Sequence, residues 1–509
     1  MQKILTLSQL PPGTTHVAEV GDYSVLFANV GGEVYAVENK CSHFGLPLDK
    51  GALCEHRLRC PFHHACFDVR DGAQLEAPGM DGLRTFAVRT EGQDILVAPE
   101  PTVRPTENYA PAAPPESGVY DYAIVGGGVA AAYATEAIRE LDPTGSLVLI
   151  TEEELPPYDR THVSKALMQG GKDVHELPLR SADFYTRHGV ELRSGTRVET
   201  VDAHRKIIRA GGQELRYERA LLATGGRPRQ LGIPGVSGTN RVFTVRSAHD
   251  GERARRAVSE GDRVTIVGGS FIGLESAMSL GKQGGKITVV AREDTLFAKL
   301  FGPEVGRWIQ GLHEAKGVHF RLGVSPRELR TEDGKPSALV LEDGSEIPTD
   351  VLIVGIGVVP ATDYLAGLAT NDDGSVSVDN HLAANVAGLY AAGDLARYPG
   401  RAGAVRIEHW KVAGQQGRIA GRNMAGQSEP YTMVPFFWSN QQGTNLRYVG
   451  HATDYDSVTF DGQPGDEDGF LAYYRRGDQL QAVLGVKRDG EVARIGEEMS
   501  RVESRESRV

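Results

Sequence analysis

The chain has 509 residues, more than one domain normally holds, and the composition of an ordinary globular protein. A net charge of −12 argues against a nucleic-acid partner, whose phosphates need a basic surface. No apolar run is long enough to span a bilayer, Met1–Pro12 does not read as a secretory leader, and four cysteines are too few for a disulfide framework. These observations predict a cytoplasmic protein with no membrane partner.

Residues 1–98 read as all-β: short alternating runs at Tyr23–Ala28, Glu33–Val37, Phe86–Val88 and Asp94–Val97, separated by Gly-containing turns. Two loops interrupt them, Cys41-Ser42-His43 and Cys60-Pro61-Phe62-His63. Two thiols and two imidazoles make a metal-ligand set. Zinc accepts the same donors, but zinc sites usually pair Cys with Cys and His with His at close spacing, whereas here each loop gives one of each. The pattern resembles the Rieske signature. That resemblance implies a [2Fe–2S] cluster with Cys41 and Cys60 on one iron and His43 and His63 on the other. In the high-potential respiratory members of that family a disulfide ties the loops, and Ser and Tyr hydroxyls donate to the cluster and its ligand. The matching positions here are Leu46 and Phe62, and Ala65 and Phe67. Donors to the sulfurs stabilise the more negative reduced state, so their loss predicts a low-potential centre. His64 stands where the family has Gly, which predicts a strained left-handed backbone. Cys66 reads as a small buried hydrophobe.

Residues 99–119 are rich in Pro, Ala, Glu and Thr and predict a semi-extended linker. From Tyr120 an apolar strand runs into Gly126-Gly127-Gly128-Val129-Ala130-Ala131 and an Ala-rich helix, followed by a strand at Ser146–Ile150 and then Glu152 and Glu153. This is a dinucleotide fingerprint in its strand–turn–helix–strand context. Gly126 makes the turn, Gly128 admits a pyrophosphate, Ala131 permits close packing, and Glu152, preferred to Glu153, would hold a ribose. The fingerprint recurs: strand Arg263–Val267, then Gly268, Ser270, Gly273 and Glu275, then strand Lys286–Val290. Between them lies Leu221–Gly226, with Thr224 and Gly225; Val351–Gly355 and Leu389–Asp394 follow.

This ordered set resembles the two-dinucleotide flavoprotein reductases. The resemblance implies a multidomain α/β fold: a Rieske domain (1–98), an FAD-binding domain (120–243 and 349–430), an inserted NAD(P)H-binding domain (244–348), both Rossmann-like, and a small α+β C-terminal domain (431–509). Asp394 would reach the flavin ribityl chain. Pro157–Lys165 holds no Cys, which sets aside the active dithiol of disulfide reductases. The segment is instead similar to oxygenase-type ferredoxin reductases and apoptosis-inducing-factor-like proteins, as are Arg406–Trp410 and Val434–Ser439. In that branch Lys165 and Glu275 would meet beside the flavin, Arg160 would contact FAD, and Trp410 and Trp438 would flank the flavin. Core packing explains either Trp nearly as well. At the end of the second NAD(P)-fold strand an acid is replaced by Ala291, followed by Arg292, which suits the 2′-phosphate of NADPH. Glu293 keeps NADH open.

The expected activity is reduction of FAD by NAD(P)H, then transfer to the cluster and to a redox protein such as an oxygenase, cytochrome or ferredoxin; a homodimer is compatible. Two alternatives stay open: an NAD(P)H oxidase or small-molecule reductase with a docking Rieske domain, and a non-enzymatic NAD(H)-sensing signalling protein. The charged last dozen residues are expected to fray.

Overall fold

Uninterrupted β-branched and aliphatic runs such as Leu147–Ile150 and Val351–Val354 are buried along their whole length, as parallel strands covered on both faces must be. The computed structural model describes residues 1–102, 109–401 and 403–506, with the backbone alone for 502–506. The chain divides into two compact units: the described residues of 1–108 with 432–438 and 446–509, and residues 109–431 with 439–445.

The first unit is a set of small antiparallel sheets. Thr15–Val20, Tyr23–Val30 and Glu33–Glu38 form a meander. Ala52–Cys54, Arg57–Arg59, Cys66–Asp68 and Gln74–Glu76 form a four-stranded sheet. Leu26, Val37, Leu48, Leu58, Phe67 and Leu83 pack between them with Cys41 and Cys60, so the ligand loops are rooted in a hydrophobic core. The C-terminal sheet runs Phe436–Gln441, Thr444–Gly450, Gln479–Val486, Phe470–Arg476, Ser457–Asp461; residues 439–445, the tip of its first hairpin, belong to the second unit. The helix Asp489–Glu506 lays Val492, Ile495 and Met499 on that sheet. These apolar residues at helical spacing seat the first part of the helix; of the last dozen residues, expected to fray, 498–506 continue it and 507–509 lie outside the described residues.

In the second unit, Val119–Val125 pairs in parallel with Leu147–Ile150 and with Gln213–Leu222, and leads into the helix Val129–Leu141. After Leu222 the chain leaves this sheet and returns first at Leu365–Ala366, parallel to Val198–Asp202, and then at Leu389–Ala391, parallel to Gln213–Leu222. The excursion builds a five-stranded parallel sheet in the order Val242–Thr244, Val351–Val354, Arg263–Val267, Lys286–Val290, His319–Arg321. The two folds make the same turn: Gly126 and Gly268 have φ of +119° and +113°, and a Cβ at either would lie 2.2 Å from the carbonyl oxygen of Ala223 or Gly355. Only Gly tolerates both conditions. The Ala-rich helix Val129–Leu141 packs against Trp410–Met424, where a Cβ at Gly417 would lie 2.1 Å from the Ala130 carbonyl oxygen.

The strand expected at Asp94–Val97 continues to Pro101, so the linker begins as the end of the central strand of its sheet. Residues 103–108 of that linker lie outside the described residues. Beyond them Tyr109 packs its ring on His188 at 4.5 Å and Ala110 N–H donates to the Pro143 carbonyl, which fixes this end of the linker to the second unit.

Candidate metal centre and dinucleotide-binding sites

The two ligand loops of the first unit are built alike. Cys41 N–H donates to Leu46 O and Gly45 N–H to Cys41 O; Cys60 N–H donates to Ala65 O and His64 N–H to Cys60 O. The left-handed residue is Gly45 (φ +70°) in one loop and His64 (φ +58°) in the other. His64 therefore takes the conformation that its place in the loop predicts. Its buried ring stacks on Phe436 at 3.8 Å, and its carbonyl accepts from Arg59 Nη1.

Cys41 and Cys60 are both buried. The two thiols interact with one another first of all, which raises Cys41, with burial adding to it, and draws Cys60 down to about 7 against the opposing effect of burial. The rings of His43 and His63 meet edge to face at 4.8 Å. Burial foremost, then His43 and Arg447, pull His63 down to about 2, so it is a neutral imidazole, the form a metal binds. Two buried cysteines on neighbouring loops and a facing imidazole pair suit a [2Fe–2S] centre with two Cys on one iron and two His on the other.

Two features around the centre come from far along the chain. Trp438, expected beside the flavin, belongs to the first unit, where its ring lies 4.8 Å from His63 and 6.1 Å from His43. Cys66 is not in the apolar surroundings expected of it. Its buried thiol donates to Glu497 at 3.8 Å, within a network where Arg59 pairs with Glu76 at 2.7 Å and with Glu497 at 2.5 Å, and Arg57 pairs with both carboxylates. Burial raises the Cys66 thiol to about 12. Cys66, Glu76 and Glu497 could converge on a cation, but both carboxylates are already committed to guanidinium groups.

The second unit holds a cavity of about 540 Å³ at the first glycine turn. It is lined by Gly126–Gly128, Glu152, Arg160, Thr224–Gly226, Arg246 and Tyr364, among others. A Cβ on Gly128 would meet nothing within 4 Å, leaving the open backbone approach that a pyrophosphate needs. Glu152 is exposed there, while Glu153 is held by Arg160 and by Tyr158 Oη at 2.7 Å. Arg160 also donates to Tyr158 Oη at 2.7 Å. Thr224 Oγ1 donates to Ala361 O, and Gly225 has φ +65°. Asp394 pairs with Arg246 at 2.9 Å, a partner with no local sequence signal. Buried Ala131 lies in the helix that starts at this turn, and Trp410 opens the neighbouring helix with its ring 6.1 Å from Tyr133. This cradle fits FAD.

Lys165 and Glu275, distant in sequence, meet: Nζ lies 2.8 Å from Glu275 Oε2. Glu275 is 3% exposed and also accepts from Ser164 Oγ at 2.6 Å and Ser439 Oγ at 3.0 Å. At the second glycine turn Ser270 caps its helix, accepting from Gly273 N–H and donating to Gly355 O. Gly273 packs under the turn, Ala291 is buried, and Arg292 stands in solvent with Nε 3.2 Å from Glu293.

Two Rossmann-like folds, a flavin cradle and a Cys₂His₂ loop pair define a dinucleotide-dependent oxidoreductase with its own iron–sulfur domain. The chain belongs to the pyridine nucleotide-disulphide oxidoreductase family, whose model matches residues 120–417. A Rieske [2Fe-2S] domain matches residues 1–87, and a reductase C-terminal domain residues 436–505. The chain is similar to apoptosis-inducing factor 3 of Homo sapiens, 34% identical over 504 residues, covering 96% of this chain and 82% of that protein. It is 36% identical over 364 residues to the 5,5'-dehydrodivanillate O-demethylase ferredoxin reductase subunit of Sphingobium sp., covering 70% of this chain and 88% of that protein. The crystal structure of the covalent putidaredoxin reductase–putidaredoxin complex matches with a TM-score of 0.71 at 28% identity, over 75% of this chain and 93% of that one. The protein is thus an FAD-dependent NAD(P)H oxidoreductase of ferredoxin reductase type that carries a Rieske [2Fe–2S] cluster. Among the described residues no helix is long and apolar enough to cross a membrane.

Proposed function

We propose that this enzyme passes electrons from NAD(P)H through FAD to its own Rieske cluster and on to a separate redox protein, such as an oxygenase, cytochrome or ferredoxin. One observation carries the reading. The reductase core has no thiol pair, because all four cysteines lie between Cys41 and Cys66, and in that stretch the chain folds a complete two-Cys, two-His set. When bound, FAD takes two electrons from NAD(P)H and the [2Fe–2S] cluster handles them one at a time.

The chain's residues supply position and charge. The Gly126 turn, Gly128 and the start of the helix Val129–Leu141 hold the FAD pyrophosphate, Glu152 its ribose and Asp394 its ribityl chain. Gly268, Ser270 and Gly273 shape the second cradle, for NAD(P)H, with Arg292 toward a 2′-phosphate. Glu275 fixes Lys165 beside the flavin, where a cation offsets the negative charge that reduction adds. Cys41, Cys60, His43 and His63 hold the irons. The small number of cysteines, two of them assigned to the cluster, supports a reducing compartment, which we take to be the cytoplasm.

The test is anaerobic stopped-flow reduction by NADPH and by NADH, followed at flavin and cluster wavelengths. The proposal predicts cluster reduction within turnover time. It also predicts that Cys41→Ser abolishes the cluster signal and transfer to a protein acceptor while dye reduction by NAD(P)H persists. A flavin that reduces while the cluster stays oxidised throughout turnover contradicts it.

A further inference from the structure

Arg447 is a buried cation with few partners. It is 3% exposed, yet among the described residues its Nε makes no hydrogen bond and lies 3.4 Å from Asp489 Oδ1, and Nη1 reaches the Leu446 carbonyl, also at 3.4 Å. A guanidinium carries five N–H donors, so most of its capacity is unspent. Its place in the sheet shows what it faces. The strands Phe436–Gln441 and Thr444–Gly450 are neighbours joined at Gln442–Gly443, and Gly450 N–H donates to Pro435 O at 2.8 Å. This register sets Arg447 across from Trp438, on the same face of the sheet as Trp438 and Phe436. That face covers the ligand loops: Phe436 stacks on His64, and Trp438 lies against His63 and His43.

We propose that Arg447, balanced by Asp489, sets the reduction potential of the Rieske cluster, supplying from the C-terminal sheet the charge and donors that Ala65 and Phe67 lack. Reduction adds one electron, and so one negative charge, to the cluster. A buried cation favours that state and is poorly screened by salt, while Asp489 opposes it. In the neighbouring network two guanidinium groups, Arg57 and Arg59, balance two carboxylates, Glu76 and Glu497. The centre is therefore raised above the potential that its missing hydroxyls predict. The inference rests on Cys60 and His63 being cluster ligands.

The experiment is an EPR-monitored redox titration of the full-length, cluster- and FAD-loaded protein, wild type against Arg447→Gln, Asp489→Asn and the double variant. Arg447→Gln lowers the midpoint by at least a tenfold shift in the one-electron equilibrium, about 59 mV. Asp489→Asn raises it, and the double variant falls between the two. Arg447→Lys, which keeps the charge, restores most of the Arg447→Gln loss. Loaded single variants with wild-type midpoints, or with shifts of the same sign, overturn the proposal. If Arg447→Gln does not hold its cluster, Asp489→Asn decides: a raised midpoint supports the proposal and an unchanged one overturns it. Should Cys60→Ser keep a Rieske-type spectrum, it is the ligand assignment that fails.

Discussion

Lys165 and Glu275 show how far single residues are pinned. Glu275 is buried with its two oxygens shared among Lys165, Ser164 and Ser439, and the lysine is the cation in that set. Lys165→Met leaves the carboxylate its two hydroxyl donors but removes its counter-charge. Loss of such a partner costs about 1–3 kcal/mol of stability. NAD(P)H-dependent flavin reduction should fall about tenfold to a hundredfold, the range of about 1.4 to 2.7 kcal/mol in barrier, at unchanged FAD content. Stopped-flow flavin bleaching measures the rate and the 450-to-280 nm absorbance ratio the content; wild-type bleaching would remove Lys165 from the flavin site. Arg292 is the opposite case, an exposed side chain with one exposed partner. If it receives a 2′-phosphate, Arg292→Ala lowers kcat/KM for NADPH about tenfold and leaves that for NADH within about twofold, since a charge-assisted hydrogen bond to such a group is worth about 1.5–3 kcal/mol. Steady-state kinetics with both nucleotides separate the cases, and an equal loss for both would deny Arg292 a role in choosing between them.

At the scale of elements, long-range side-chain pairs fasten what local sequence builds. The helix Asp489–Glu506 inserts Glu497 between Arg57 and Arg59 of a Rieske-domain strand. Glu497→Leu leaves Arg59 buried with one carboxylate for support. Breaking a buried pair in this way costs about 3–5 kcal/mol. A fall in Tm and faster hydrogen exchange along Arg57–Arg59 and the C-terminal helix are expected; unchanged exchange would mean that the network fastens nothing. In the second unit, Gly417→Val would drive a side chain into the Ala130 carbonyl, part the two helices and distort the first glycine turn. The protein should then purify with less flavin, read from the same absorbance ratio. What could be seen in the sequence follows this division. The ligand loops, both glycine turns and most strand positions were legible because each is a local pattern with a local cause, whether a donor pair, a left-handed turn or a run buried on both faces. Trp438, Glu497, Arg246 and Arg447 were not assigned to their contacts, because no spacing rule ties Trp438 to His63 or Arg246 to Asp394. Arg447 left one trace, a charge between Leu446 and Tyr448 in an otherwise buried run, but the strand alone does not say what that charge faces.

For the whole molecule, the first unit combines the Rieske loops with most of the C-terminal domain, and the second combines both dinucleotide folds. The Rieske loops therefore pack against residues from the other end of the chain: Phe436 lies on His64 and Trp438 on His63. This grouping gives the C-terminal domain a role at the cluster, which its distance in sequence conceals. The central claim is that NAD(P)H, FAD and cluster form one electron path in a single polypeptide. An EPR spectrum of the protein reduced anaerobically by NADPH, with NADH alongside, tests it most directly. A Rieske-type signal from either nucleotide, lost in Cys41→Ser, is the predicted result. A protein whose flavin is bleached by nucleotide but whose cluster stays EPR-silent until dithionite is added would contradict it.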